Sequence, residues 1–256
     1  MSRVRLRTLQ ARSSPVTFLI DPILLSVLTD AFTELAKTQY TTAVLTAVPR
    51  LCSTIANLQP NEIWVAASAV EIISSIFRGA PAGTGLGDGV FAQLAPAIFG
   101  ALNTNEDRDL LQNGIICLTL FVRKDTPQIL AHPEGLNMLL ALISRTLAPA
   151  DGNESGGLVV GDLMLHLLRR AGSALLPSLN DLVRALLERL TTAKTGTFIQ
   201  SLVVPFAYLL YTQRDPVLDL LESTTLQNGA NGLQVLLTAW CENAETFVGY
   251  WAQRLR

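Results

Sequence analysis

Apolar residues along this chain fall in helix-length blocks at helical spacing, separated by short polar or Gly/Pro-containing turns. Blocks at 21–37, 41–58, 62–77, 90–102 and 107–122 fill the first half. Blocks at 133–147, 158–171, 178–192, 196–212, 215–221 and 232–243 fill the second, and a last helix runs from residue 245 to the C-terminus. The punctuation agrees. Asp21 precedes Pro22 as a cap followed by proline at the first helical position. Asn61 caps 62–77 and Gly79 closes it. No alternating apolar pattern lies between hairpin turns, so no sheet is expected. Pro49, Pro96 and Pro205 sit inside apolar runs, where each removes a backbone hydrogen bond and should kink its helix. Uninterrupted apolar sequence from Phe198 to Leu210 implies that Pro205 bends its helix and does not end it.

The helices pair, with a short turn inside each pair and a longer break after it, at a period of about 40 residues. That rhythm predicts an all-α HEAT/ARM-type α-solenoid, a superhelix of antiparallel helix pairs in which each pair buries its apolar face on its neighbours. Residues 15–256 hold about six pairs, the last incomplete. Solenoid ends need polar caps. Here Phe247, Tyr250 and Trp251 at one end, and Leu24, Leu25 and Leu28 at the other, are expected to be uncovered and to promote self-association.

Charge divides the chain unevenly. Residues 1–14 carry Arg3, Arg5, Arg7 and Arg12 and no acid, and read as a disordered Arg-rich tail without the amphipathic period of a targeting helix. Outside them 15 Lys+Arg face 21 Asp+Glu, a formal −6 for residues 15–256. Such a body suits a basic protein partner and is ill matched to the phosphates of nucleic acid. Cys52, Cys117 and Cys241 are odd in number, far apart and set in apolar runs, so they read as small buried hydrophobes. The uncharged stretch 195–213 is interrupted by Gln200, Ser201, Pro205 and two tyrosines; its apolar part falls short of the ~20 residues of a membrane span, and a buried helix fits better. The sequon at Asn153, Glu154 and Ser155 reads as coincidental.

No catalytic, cofactor or metal constellation emerges, and no enzymatic role is expected. The glycines from Gly83 to Gly89 lack phosphate-loop spacing and follow a helix, so they read as a flexible loop between repeats. His132 and His166 have no ligand-spaced partners. The acids form the remaining pattern. Glu106 and Asp107, with Asp109, cluster at a helix start. Asp181 and Glu188 share a helix face seven residues apart, and Asp215 and Asp219 share another. Capping, dipole compensation and an Arg184–Glu188 pair explain them as solvated helix faces. Contact with a basic cargo is the functional reading of the same residues.

Residues of about 158–250 carry a more specific signal. Gln200-Ser201-Leu202, then Phe206-Ala207, Leu209 and Thr212-Gln213, followed by the short apolar helix 216–221 and by Leu236 to Trp240, resemble the importin-9 branch of the karyopherin-β nuclear transport receptors. The run from Leu167 to Leu176 fits as well. Residues 15–157 match only as generic helix pairs. The resemblance implies a superhelical receptor that shuttles between cytoplasm and nucleus through the nuclear envelope. It would present acids to basic cargo, core histones included, and release it under control of the GTPase Ran. It also implies nucleoporin contacts, no cofactor and no membrane insertion. Family members are several times longer, so the chain reads as the middle-to-late part of a receptor, a fragment whose Ran contact belongs to the full-length protein. A generic HEAT-repeat scaffold subunit is the alternative.

Overall fold

The computed structural model describes residues 22–57, 62–83, 85–148, 154 and 157–247. The tail 1–14, the caps at Asp21 and Asn61, and Tyr250 and Trp251 lie outside these residues. The chain divides into two compact units, Met1–His132 and Pro133–Arg256. Among the described residues it is all-α, with one isolated bridge, Thr225 to Asn231, as the sole β-type pairing. Within each unit the main helix contacts are between elements close in the chain, as in HEAT/ARM repeats.

The first unit holds α1 (Pro22–Ala56), α2 (Ile63–Gly79), α3 (Val90–Thr104) and α4 (Arg108–Ala131). The expected first two blocks are one continuous element, broken only where Gln39 leaves helical geometry (φ −132°, ψ 46°). The other break is at Asp125 (φ −151°, ψ 50°). Helix α4 therefore does not stop at residue 122; it bends and continues to Ala131. Pro127 explains the bend, since its ring would clash with the Arg123 carbonyl in a straight helix. Gly79 has a different role from the expected one. It is the last helical residue, and Ala80, extended at φ −55° and ψ 133°, caps the helix. A Cβ on Gly79 would lie 2.5 Å from the Thr33 carbonyl oxygen and 2.6 Å from the Ala36 Cβ. Gly79 is thus the close-approach point between α1 and α2. Three buried rings knit the core: Phe121 stacks edge-on with Phe77 (5.7 Å) and with Phe91 (5.2 Å).

The second unit holds α5 (Gly135–Leu147), α6 (Val160–Ala171), α7 (Leu179–Leu190), α8 (Gly196–Thr212), α9 (Arg214–Ser223) and α10 (Gly232–Asn243). A 3-10 segment, Gly172–Ser178, fills the gap between α6 and α7. Helix α8 runs through Pro205, as its sequence requires. Pro205 has no N–H to return to the Ser201 carbonyl four residues back. At that carbonyl α6 comes closest: a Cβ on Gly161 would lie 1.8 Å from the Ser201 oxygen, and the Gly161 N–H donates to Ser201 Oγ at 3.1 Å. Where a helix was expected to start at residue 245, the described residues hold one 3-10 turn, Ala244–Thr246, after which Phe247 is extended; the rest of that expected helix lies outside the described residues. Phe247 is also not an uncovered end; it is 1% exposed. At the other end Leu24 is exposed, and Leu25 and Leu28 are half-buried. Cys52 and Cys117 are buried as expected, whereas Cys241 is exposed, on the outer face of α10.

Candidate functional site

Some of the sequence-predicted acids line two clefts, one in each unit. In the first, α2 and α4 border a cleft of about 390 Å³. Trp64 and Glu71 line it from α2, and Asp107, Asp109, Gln112 and Asn113 line it from the start of α4. Three carboxylates face the cleft, and no Lys or Arg is among its lining residues. Asp107 also caps α4, its Oδ1 accepting the Leu110 N–H at 2.8 Å. Asn113 fixes the wall by donating from Nδ2 to the Ala67 carbonyl at 3.1 Å. Trp64 keeps 39% of its surface exposed and offers a ring edge or face to an occupant. Glu106 is exposed but outside the lining.

Trp64 and Glu71 were not singled out from the sequence. The signal was present, because Glu71 is the sole acid in a helix whose other polar side chains are three serines and Arg78, and it lies seven residues from Trp64 and so on the same face.

In the second unit Asp181, Arg184 and Glu188 of α7 line a shallower cleft of about 260 Å³ with Ser144 and Gln227. Glu188 does not pair with Arg184 there. Its Oε1 accepts the Gln227 N–H at 3.0 Å and ties down the turn before α10. Asp181 is exposed. Asp215 and Asp219 are exposed one turn apart on α9, outside that cleft.

Two buried charges were also missed. Glu154 is 8% exposed and Arg189 is 5% exposed. Glu154 accepts from the Lys194 N–H (2.6 Å), the Thr195 N–H (2.9 Å) and Thr195 Oγ1 (2.7 Å), at the N-terminus of α8. Burial alone would raise its carboxyl, but these hydrogen bonds and the Arg189 charge prevail and hold it below its ordinary value. Arg189 lies over the Phe198 ring at 5.0 Å and donates to Thr192 Oγ1 at 2.9 Å.

Where a flexible loop was expected, Gly83, Gly85, Gly87 and Gly89 adopt positive φ, and two backbone groups, the Leu86 N–H and the Gly87 carbonyl, are hydrogen-bonded to α4. His166 has a carboxylate neighbour after all: its Nε2 is 3.4 Å from Asp162 Oδ1 one turn earlier. No group of three or more His, Cys, Asp or Glu among the described residues could hold a metal ion. No helix among them is long and apolar enough to cross a membrane.

Relatives give these surfaces a context. No protein-family model matches the chain. Over 238 residues, 90% of the chain, it is 24% identical to Importin subunit beta-5 of Schizosaccharomyces pombe. Over 190 residues, 73% of the chain, it is 24% identical to Importin-9 of Drosophila melanogaster. This chain is similar to the karyopherin-β importins. It spans about a fifth of the length of these curated relatives, covering 23% and 18% of them. The importin-like motif mixes buried apolar residues with exposed ones, Thr212, Gln213, Leu237 and Thr238 among the latter. Leu202, Phe206 and Leu236 have no exposed surface, and Leu209 is 6% exposed. Ser201 makes the close crossing with Gly161. The apolar part of the motif records packing, and none of its residues lines either acidic cleft.

Proposed function

We propose that this chain is a segment of a nuclear import receptor that holds basic protein cargo, core histones among them, for Ran-regulated transport from cytoplasm to nucleus. Ran and nucleoporin contacts would belong to the full-length receptor. The importin similarity supports the receptor reading. The observation that carries the cargo chemistry is the cleft between α2 and α4, where Glu71, Asp107 and Asp109 face outward beside Trp64 with no lining cation. Asp181, Asp215 and Asp219 are proposed as further contacts, with Glu188 and Glu106 contributing field more than direct bonds. The mechanism is reversible binding without a covalent step.

Magnitudes favour a moderate, salt-sensitive interaction. Exposed ion pairs contribute about 0.2–1 kcal/mol each. An exposed cation over an aromatic face adds about 0.5–1 kcal/mol. Three carboxylates and Trp64 together supply about 1–4 kcal/mol to a Lys/Arg-rich segment. The test is titration of a core-histone dimer against the wild type and against Glu71→Gln/Asp107→Asn/Asp109→Asn. Asn still caps a helix, so the triple variant removes charge and keeps the start of α4. Losing three such pairs is expected to lower affinity by about threefold to a hundredfold, at roughly 1.4 kcal/mol per decade. Equal affinities would remove the cleft from the cargo site. A parallel Asp181→Asn/Asp215→Asn/Asp219→Asn variant separates the second unit's share.

A further inference from the structure

Both backbone breaks of the first unit converge on one residue of the glycine-rich loop. Next to the break at Gln39, Tyr40 donates its hydroxyl to the Leu86 carbonyl at 3.1 Å. At the break in α4, Asp125 Oδ2 accepts the Leu86 N–H at 2.8 Å. The Leu86 side chain itself has no exposed surface. Its two backbone groups are therefore held by two different helices, each at the point where that helix leaves regular geometry.

The grip extends to both sides. Gln128 donates from Nε2 to the Gly87 carbonyl (2.7 Å) and to Asp125 Oδ2 (2.6 Å), while its Oε1 accepts the Phe91 N–H (3.2 Å) at the start of α3. Lys124 Nζ donates to the Ala80 carbonyl (2.9 Å) and the Arg78 carbonyl (3.2 Å) at the end of α2. One bent turn of α4 thus holds the chain from the end of α2 to the start of α3. The loop's composition fits. Gly85 has φ +68°, and a Cβ there would approach Asp125 Oδ2 to 2.9 Å. Burial, followed by the Asp125 charge, keeps the Tyr40 phenol protonated and so a donor. Pro127 keeps α4 from running straight, and the bend brings the Asp125 carboxylate to the Leu86 N–H, so the seated loop holds a helix that its proline has already bent.

We propose that Leu86 is a coupling element: seated, it locks the bends of α1 and α4 together; withdrawn, it releases both. The two helices would then change curvature as one event, giving the segment a two-state joint that can adjust when a partner is held. Coupling through such a joint is demonstrated only if each helix responds to a change made in the other.

The test is hydrogen–deuterium exchange of the full chain, read by peptide mass spectrometry over residues 36–43, 80–91 and 122–129. Residues 63–77 of α2, in the same unit, serve as the internal control for intact folding. Tyr40→Phe removes one hydrogen bond and no carbon. It is expected to speed exchange about fivefold in 122–129 as well as in 36–43, the factor that corresponds to one net hydrogen bond. Asp125→Ala should speed exchange in 36–43 as well as in 122–129. Leu86→Ala keeps both backbone bonds but unseats the side chain, and should speed both segments. This arm distinguishes coupling through the loop from direct contact between Tyr40 and Asp125. Effects confined to the mutated helix, or a Leu86→Ala variant that leaves both breaks unchanged, would overturn the proposal. If Asp125→Ala loosens the control segment as well, the Tyr40→Phe and Leu86→Ala arms decide.

Discussion

Replacing Glu154 should destabilise the second unit in a way that depends on pH. Its two carboxylate oxygens accept three hydrogen bonds at 2.6, 2.9 and 2.7 Å, and Thr195, which makes two of them, is the residue that precedes α8. The negative charge thus meets the N-terminal end of the α8 dipole. Hydrogen bonds to a charged partner contribute about 1.5–3 kcal/mol each, although three on one group do not add fully and water replaces some of them after mutation. Glu154→Ala is therefore expected to cost about 3–5 kcal/mol. For a unit of this size that lowers the melting temperature by about 9–20 °C, at roughly 3–4 °C per kcal/mol. The sign with pH follows from the direction of the shift. The folded carboxyl lies below its ordinary value of 4.5, so its contribution is present above that pH and is lost as pH falls through the folded value. Thermal melts of wild type and Glu154→Ala, followed by circular dichroism from pH 7 to pH 3, should show a gap that is widest near neutrality and narrows below about pH 4.5. A gap that stays constant across this range, or one under about 2 °C at pH 7, would refute the reasoning.

Gly161→Ala should cost more than the ~1–3 kcal/mol of ordinary overpacking, because its methyl would meet the Ser201 backbone oxygen and not a mobile side chain; denaturant titration measures it, and a loss under about 1 kcal/mol would show that α6 and α8 can slide apart. Burial pushes the Cys52 thiol up to about 11 and the Cys117 thiol up to about 12, so at pH 7.5 only the exposed Cys241 should alkylate rapidly in the folded chain, with the other two reacting after denaturation; rapid labelling of more than one thiol by intact mass spectrometry would contradict the packing. Asp107→Ala should lose about 1 kcal/mol of stability through the missing cap while Asp107→Asn loses little, and equal losses for both would argue that charge, not capping, holds the start of α4.

Much of the helical organisation was legible because periodicity and capping chemistry are local. The bounds of α8 and α10 follow from Gly196, Thr212, Gly232 and Asn243 directly. What was not legible depends on partners distant in sequence. Gly79 resembles a helix terminator, yet its role is set by Thr33 and Ala36 across the α1–α2 contact. The glycine loop resembles a flexible linker because its composition is that of one, and only the bend at Asp125 brings up the side chains that fix it. Glu154 sits in a polar loop that gives no hint of burial, since its partners at Lys194 and Thr195 lie about forty residues on. The acids of the first-unit cleft were half legible. Asp107 and Asp109 stood out as a cluster, but their meeting with Trp64 and Glu71 needs α2 and α4 side by side.

The receptor reading stands or falls on whether the wild-type chain holds a basic protein through its acidic surface. Isothermal titration of the chain with a core-histone dimer, and separately with duplex DNA, at 50 mM and 200 mM salt, measures this directly. The account predicts histone binding that weakens as salt shortens the screening length to below about 10 Å, and no binding of duplex DNA at either salt. Histone binding that does not change with salt, or no histone binding at all, would contradict it and favour a generic helical scaffold.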